Sequence, residues 1–166
     1  MRRPPKRIME IGVEEGMGAR VMIEAAKERL GNSPEYYGVD FFEWGGGKPK
    51  ILSKPGKEEI KRRLEKLGCK CYLYQGDSTK VLPKVLHLLP KMDFIHIDGE
   101  HDYKTVKSDW GHVSRLMKSD TVVVFDDYPM EGVKRVVEEI KRGGDFVVMI
   151  KGGHAVVTSK KGSGAV

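Results

Sequence analysis

Two acidic tracts stand where chemistry would be expected, Ile97-Asp98-Gly99-Glu100-His101-Asp102-Tyr103 and Phe125-Asp126-Asp127-Tyr128. Each closes a short apolar run, Met92 to Ile97 and Thr121 to Phe125, so each sets its acid at the carboxyl end of a strand. That is where open α/β sheets bind ligands. If the two strands are neighbours, about 4.8 Å apart, Asp98, Asp126 and Asp127 meet at one edge. Like charges this close raise one another's pKa unless a cation joins them, and carboxylate oxygens without thiols or clustered imidazoles favour a hard divalent ion such as Mg²⁺. His101, with an ordinary pKa of ~6.5, suits general-base work near neutral pH. The plain structural alternative is helix capping, for the acids and for His101, which stands just before the helical pattern that opens at Tyr103.

A second concentration of unusual residues is Glu10-Ile11-Gly12-Val13-Glu14-Glu15-Gly16-Met17-Gly18, which follows a short apolar strand and opens into a helical pattern from Ala19 to Leu30. Glycines there let the backbone approach a ligand, and the amides of the helix start face the same space. The spacing is not the G-x-G-x-x-G of dinucleotide sites, and no G-K-[ST] follows as in a P-loop. Carboxylates at Glu14 and Glu15 would repel a diphosphate and tolerate a cationic ligand without phosphate. S-adenosylmethionine is such a ligand, and the tract resembles the class I S-adenosylmethionine-dependent methyltransferases. Its Glu-Ile-Gly-x-x-x-Gly form is most similar to the catechol-type, metal-dependent O-methyltransferases and the related sugar O-methyltransferases.

The resemblance implies roles for the other strand ends. Asp40, closing Glu35-Tyr36-Tyr37-Gly38-Val39-Asp40, would accept bonds from the ribose hydroxyls, with Phe41 packed on the adenine. Asp77 in Gly76-Asp77-Ser78 would bond the adenine amino group, though Asp77 and Ser78 before a helical run also make a good cap. Glu10 would lie near the amino end of the cofactor; as a bare fact, a carboxylate in an apolar strand is costly without a partner. The acids after strands four and five would hold magnesium, with His101 standing where catechol-type enzymes keep a lysine base. His96, alternating with Ile95 and Ile97, reads as a satisfied core residue. His87, His112 and His154 receive no role.

The elements that position these residues alternate. Apolar stripes mark helices at Ile60, Leu64, Leu67, then at Val81, Leu82, Val85, Leu86, Leu89, then at Val106, Trp110, Val113, Leu116, Met117, and last at Val133, Val136, Val137, Ile140. Strands fall between them, and Thr121 to Phe125 is apolar enough for a central strand covered on both faces. Phe146 to Ile150 and Ala155 to Thr158 flank a Gly-Gly turn, so the last strand is expected to run antiparallel. Five βα units and a hairpin are what the resemblance implies: a Rossmann-like α/β fold with a mostly parallel seven-stranded sheet, order 3-2-1-4-5-7-6, and helices on both faces. Catechol-type enzymes usually carry helices ahead of the first strand, which here begins near residue 8. The cap over the acceptor pocket is then missing, or supplied by the Trp44 to Pro55 loop or by another subunit.

A chain of 166 residues with 39% hydrophobic and 33% charged residues suits one soluble domain over 1–166. It has no apolar run of the roughly 18 residues a membrane span needs and no apolar core for a signal peptide, which points to the cytoplasm. Cys69 and Cys71 share a strand face and read as reduced thiols. The single Asn32 and single Gln75 match heat-adapted composition. The net charge of +6 is spread over helix faces interleaved with acids, as in Lys57 to Lys66. The expected reaction is methyl transfer to the hydroxyl of a small-molecule acceptor, with no membrane partner; a homo-oligomer stays open. The alternatives are a nucleic-acid methyltransferase, disfavoured because Asp98-Gly99-Glu100-His101 is not an Asn/Asp-Pro-Pro-aromatic tract, and a non-catalytic cofactor-binding module.

Overall fold

The structure, a computed structural model, describes residues 3–42 and 55–160. Strand and helix alternate as β1 (Arg7–Ile11), α1 (Met17–Leu30), β2 (Glu35–Asp40), α2 (Lys57–Glu65), β3 (Lys70–Gln75), α3 (Ser78–Val85), β4 (Phe94–Ile97), α4 (Tyr103–Val113), β5 (Val122–Phe125) and α5 (Glu131–Gly143), followed by the hairpin β6 (Phe146–Lys151) and β7 (His154–Ser159). The seven strands lie in the order β3-β2-β1-β4-β5-β7-β6. Strands β1 to β5 are parallel, and β7 runs antiparallel to both of its neighbours.

Register brings the strand ends together. Ile11 stands opposite both Val39 and Ile97, and Ile97 opposite Phe125, so β2, β1, β4 and β5 all stop on one line. The residues that follow, Asp40, Gly12, Asp98 and Asp126, therefore share one edge. In the hairpin, Gly152 and Gly153 take φ of 60° and 86°, the left-handed pair of a type I′ turn, whose twist matches that of the flanking strands. This tight reversal starts β7 at the same edge.

Alternation along each strand feeds two cores. Met9, Ile11, Ile95, Ile97, Val123 and Phe125 pack beneath α3, α4 and α5, which contribute Leu82, Val106, Val113, Val133, Val136 and Ile140. Ile8, Tyr36, Cys71 and Leu73 turn to the opposite side, against Ala19 and Ile23 of α1 and Ile60 and Leu64 of α2. Full burial of side chains of this size contributes about 1.5–3 kcal/mol each. The free thiols of Cys69 and Cys71 belong to this second core.

One expectation is corrected here. β5 is not covered on both faces: Val123 and Phe125 are fully buried, but Val122 and Val124 are only half-buried and join neither core. The reason is that α1 and α2 lie over the β1–β3 half of their side. The proposed covering loop, Trp44 to Pro55, falls almost wholly on residues 43–54, outside the described residues. Among the described residues no helix is long and apolar enough to cross a membrane.

Candidate functional site

The glycine turn is fixed from two sides. Gly12 holds φ of 85° and donates its N–H to Val39 O at 2.9 Å, while Asp98 N–H donates to Ile11 O at 2.8 Å. A Cβ on Gly12 would lie 2.0 Å from the backbone oxygen of Asp98. From the other side Asp40 reaches over: its Oδ2 accepts from Val13 N–H at 2.8 Å and Glu14 N–H at 2.9 Å, and its Oδ1 from Phe42 N–H at 2.7 Å. Asp40 thus organises the turn as well as lining the space beside it.

That space is a cavity at the carboxyl edge, walled by Gly12, Glu14, Asp40, Phe41, Gly76, Ser78, Asp98, Gly99 and Glu100 and floored by Ile11 and Val39. It gathers four carboxylates and no Lys or Arg among the described residues. Phe41 is 48% exposed and offers a ring face at its rim. Of the sequence-predicted site residues, Gly12, Asp40, Phe41, Ser78 and Asp98 line it. Asp77 instead caps α3, with Oδ1 accepting from Thr79 N–H at 3.0 Å. Gly16 precedes α1 and packs toward Ile60, while a Cβ on Gly18 would stand 2.7 Å from Glu10 Oε1.

Glu10 lies beneath the turn, 1% exposed, and its cost of burial is met by partners. Tyr36 donates its hydroxyl to Oε2, and His96 Nδ1 stands 3.1 Å from Oε1. Burial and the Glu10 charge push the Tyr36 phenol well above its ordinary value. Burial opposes the charged form of His96, but the bond to Glu10 and the charges of Glu10, Asp98 and Asp126 outweigh it and hold its pKa raised. His96 is accordingly both satisfied in the interior and turned toward the acidic edge, with Nε2 at 3.9 Å from Asp126 Oδ2.

The acids after β4 and β5 form two trios that share Asp98. One is His96, Asp98 and Asp126; the other is Asp98, His101 and Asp127; within each, the donor atoms lie within 4.8 Å of one another. The adjacent acids diverge because Asp127 sits at φ 48°, in the left-handed region. His101 Nε2 is 3.0 Å from Asp127 Oδ2 and, though buried as an atom, has no aligned hydrogen bond. Burial pushes Asp98 up to about 6, with the charges of Asp126, Glu10 and Asp127 adding to the effect and His96 opposing it.

None of these groups caps a helix. Asp102 caps α4, accepting from Lys104 N–H at 3.0 Å and Thr105 N–H at 3.2 Å, and Met130 precedes α5. Asp98, Asp126 and Asp127 offer the carboxylate oxygens that a hard divalent ion takes, while the imidazole in each trio also suits ions such as Zn²⁺ or Fe²⁺. Gly132 fixes the geometry: a Cβ there would come within 2.1 Å of His101 O and 2.5 Å of Tyr103 N, so the start of α5 is seated against the His101 segment.

Sequence reasoning missed His154, whose Nδ1 is 2.7 Å from Asp126 Oδ1. The signal was the hairpin itself: an antiparallel last strand begins at the edge where the parallel strands end. It also missed Asp109 of α4, fully buried, with no hydrogen bond to either oxygen. Burial pushes its carboxyl up to about 6, against a downward pull from Ser78. An acid whose folded pKa exceeds its unfolded 3.8 is tolerated fully below that value, and its penalty grows as pH rises to about 6. Asp109→Asn is therefore expected to raise stability by about 1–2 kcal/mol at pH 7, the buried amide offsetting part of the gain, and to change it little at pH 4. Urea unfolding at the two pH values measures this.

Strand order and a carboxyl-edge cavity of this kind define a class I S-adenosylmethionine-dependent methyltransferase. The family model Methyltransf_24, a methyltransferase domain, matches residues 9–128, and the chain belongs to that family. No curated protein matches the sequence. Among solved structures, the chain is similar to apo CalS11, a TDP-rhamnose 3'-O-methyltransferase of calicheamicin biosynthesis, at TM-score 0.68 and 18% identity over 94% of this chain and 72% of that one. It is similar to the O-methyltransferase NovP at 0.68 and 17%, over 93% and 72%. MycE of the mycinamycin pathway, in complex with Mg, SAH and mycinamycin VI, follows at 0.62 and 14%, over 92% of this chain and 44% of its own length.

Proposed function

We propose that this methyltransferase moves the S-adenosylmethionine methyl group to a hydroxyl oxygen of a small molecule, assisted by a divalent ion. The observation that carries this reading is the juxtaposition of a cavity whose charged lining, among the described residues, is all acidic with the carboxylate-imidazole edge formed around Asp98. A sulfonium and an ammonium group are drawn to such a cavity, whereas a diphosphate is repelled. The similarity to the O-methyltransferases CalS11 and NovP, and to MycE solved with Mg and SAH, supports the choice of oxygen and ion.

In this reading Asp40 accepts from one ribose hydroxyl with the lone pair its three backbone bonds leave on Oδ1, Phe41 stacks on the adenine, and Ser78, beside the Asp77 cap, meets the purine edge. Gly12 gives the cofactor its approach to the backbone, while Glu10 stays beneath and fixes the turn through Gly18. The three acids do not form one ligand set as the sequence suggested; Asp98 and Asp126, with His96 Nε2 beside them, would hold Mg²⁺ or a similar ion, which when bound would lower the pKa of an acceptor hydroxyl and orient it, while Asp127 turns to the His101 side. His101 Nε2, which makes no aligned hydrogen bond, accepts the hydroxyl proton, the Asp127 carboxylate beside it stabilises the imidazolium that results, and the acceptor oxygen forms its bond to the methyl carbon as the carbon–sulfur bond breaks. The sulfonium leaves as the neutral thioether of S-adenosylhomocysteine.

Calorimetry with S-adenosylhomocysteine and with NAD tests the first half of the reading: binding of the former and none of the latter is expected, and the reverse would overturn it. A mass-spectrometric screen of hydroxylated small molecules with labelled methyl donor tests the second. Labelled nucleic acid with unlabelled small molecules would move the protein to the other class.

A further inference from the structure

We infer that β6 is the interface between two copies of this chain, paired antiparallel about a two-fold axis through Val148. β6 is one of the two outer strands of the sheet. Soluble proteins blunt such edges with proline, charge or bulges, yet Phe146-Val147-Val148-Met149-Ile150-Lys151 carries one charge, at its end. Val147, Met149 and Ile150 are 41%, 58% and 44% exposed. In a two-residue hairpin the residues flanking the turn form a hydrogen-bonded pair. With Lys151 opposite His154, the alternation turns the N–H and C=O groups of Phe146, Val148 and Ile150 outward, unpaired by β7.

The occupant is identified by self-complementarity. Asp145, whose carbonyl accepts from Lys160 N–H at 3.2 Å, continues the strand by one residue. Asp145, Val147, Met149 and Lys151 share the face that no core cluster covers, because side chains alternate. Antiparallel pairing about Val148 sets Asp145 opposite the second copy's Lys151, Val147 opposite its Met149, and Phe146 opposite its Ile150. The outward groups of Val148 then meet their own copies, giving hydrogen-bonded pairs at the centre and ionic pairs at both ends. Moving the axis to Val147 or Met149 sets a charge against an apolar side chain, so this register is selected over its neighbours.

A strand pair alone falls short of the roughly 1,200 Å² of a stable interface. The other face adds to it. There the second copy's Ile150 arrives beside Phe146, next to a groove whose apolar floor is Trp110, Val136 and Ile140 and whose rim carries Lys107, Glu139 and Asp145. An exposed aliphatic side chain thus meets the apolar floor of a groove with a charged rim, and the isologous arrangement does so twice.

Sedimentation equilibrium of the full chain tests the pairing. The expected mass is twice 18.7 kDa. Lys151→Glu places a carboxylate against Asp145 at both ends and is expected to raise the dissociation constant on the order of tenfold or more. Asp145→Lys combined with Lys151→Glu restores the opposite charges and the dimer. Val148→Pro removes an outward donor without touching the pairing to β7, and is expected to give a monomer with an unchanged far-ultraviolet circular dichroism spectrum. A wild-type mass of 18.7 kDa would overturn the inference. So would a dimer indifferent to Lys151→Glu and Val148→Pro, or a double variant no tighter than the single.

Discussion

Gly12→Val is expected to abolish binding of S-adenosylhomocysteine in calorimetry and to lower the thermal midpoint of the protein. The residue sits at φ 85°, where a β-branched side chain is strained by itself. Its Cβ would also fall 2.0 Å from the Asp98 carbonyl oxygen and 2.8 Å from Gly99 N, both backbone atoms. No rotamer change relieves such a clash. Either β1 and β4 separate at their carboxyl ends or the turn swings away, and in both cases the wall shared by cavity and acidic edge is lost. Gly12→Ala isolates the effect of a single Cβ and is expected to weaken binding by at least a hundredfold. Alanine binding the cofactor as glycine does would mean that the turn is not packed on β4 in this way.

The second large effect concerns the edge itself. Asp98→Asn is expected to remove divalent-ion binding and to lower kcat/KM by a thousandfold or more, because Asp98 belongs to both donor trios. Asp126→Asn and Asp127→Asn each disturb one trio and are expected to cost less than Asp98→Asn. The comparison separates a shared ligand from general damage to the site. Titration with Mg²⁺ or Mn²⁺ followed by assay in chelator gives the readout. Activity that survives chelation unchanged would remove the metal from the mechanism and leave His101 with Asp127 to deprotonate the acceptor.

Those residues differ in how far the sequence exposed them. The βα alternation was legible because each helix carries a clear stripe, as in Val133, Val136, Val137 and Ile140 of α5, and each strand ends in a polar break. The antiparallel close was legible from Gly152-Gly153 between β-branched runs. Asp98, Asp126 and Asp127 could be read as strand-end acids, but their division into two trios could not, since it depends on the left-handed turn at Asp127. His154 was invisible because its partner, Asp126, is brought to it by the return of β7. Asp40 is legible as a strand-end acid beside a ligand cavity, which it lines, but its hold on Val13 and Glu14 is a contact between chain segments that local pattern does not report. The apolar run of β5 suggested cover on both faces because apolar residues signal a preference for burial, not what supplies it.

The seat of α5 on the His101 segment has a mechanical consequence. With the helix start pressed on the His101 carbonyl and Tyr103 amide through Gly132, and Asp127 in the turn that leads into that helix, the imidazole and its carboxylate ride on one stiff wedge. Their separation is set when the chain folds, so in the proposed reaction little ordering entropy would be lost there when an acceptor binds. Under that proposal, any yielding to the acceptor would come from another wall of the cleft.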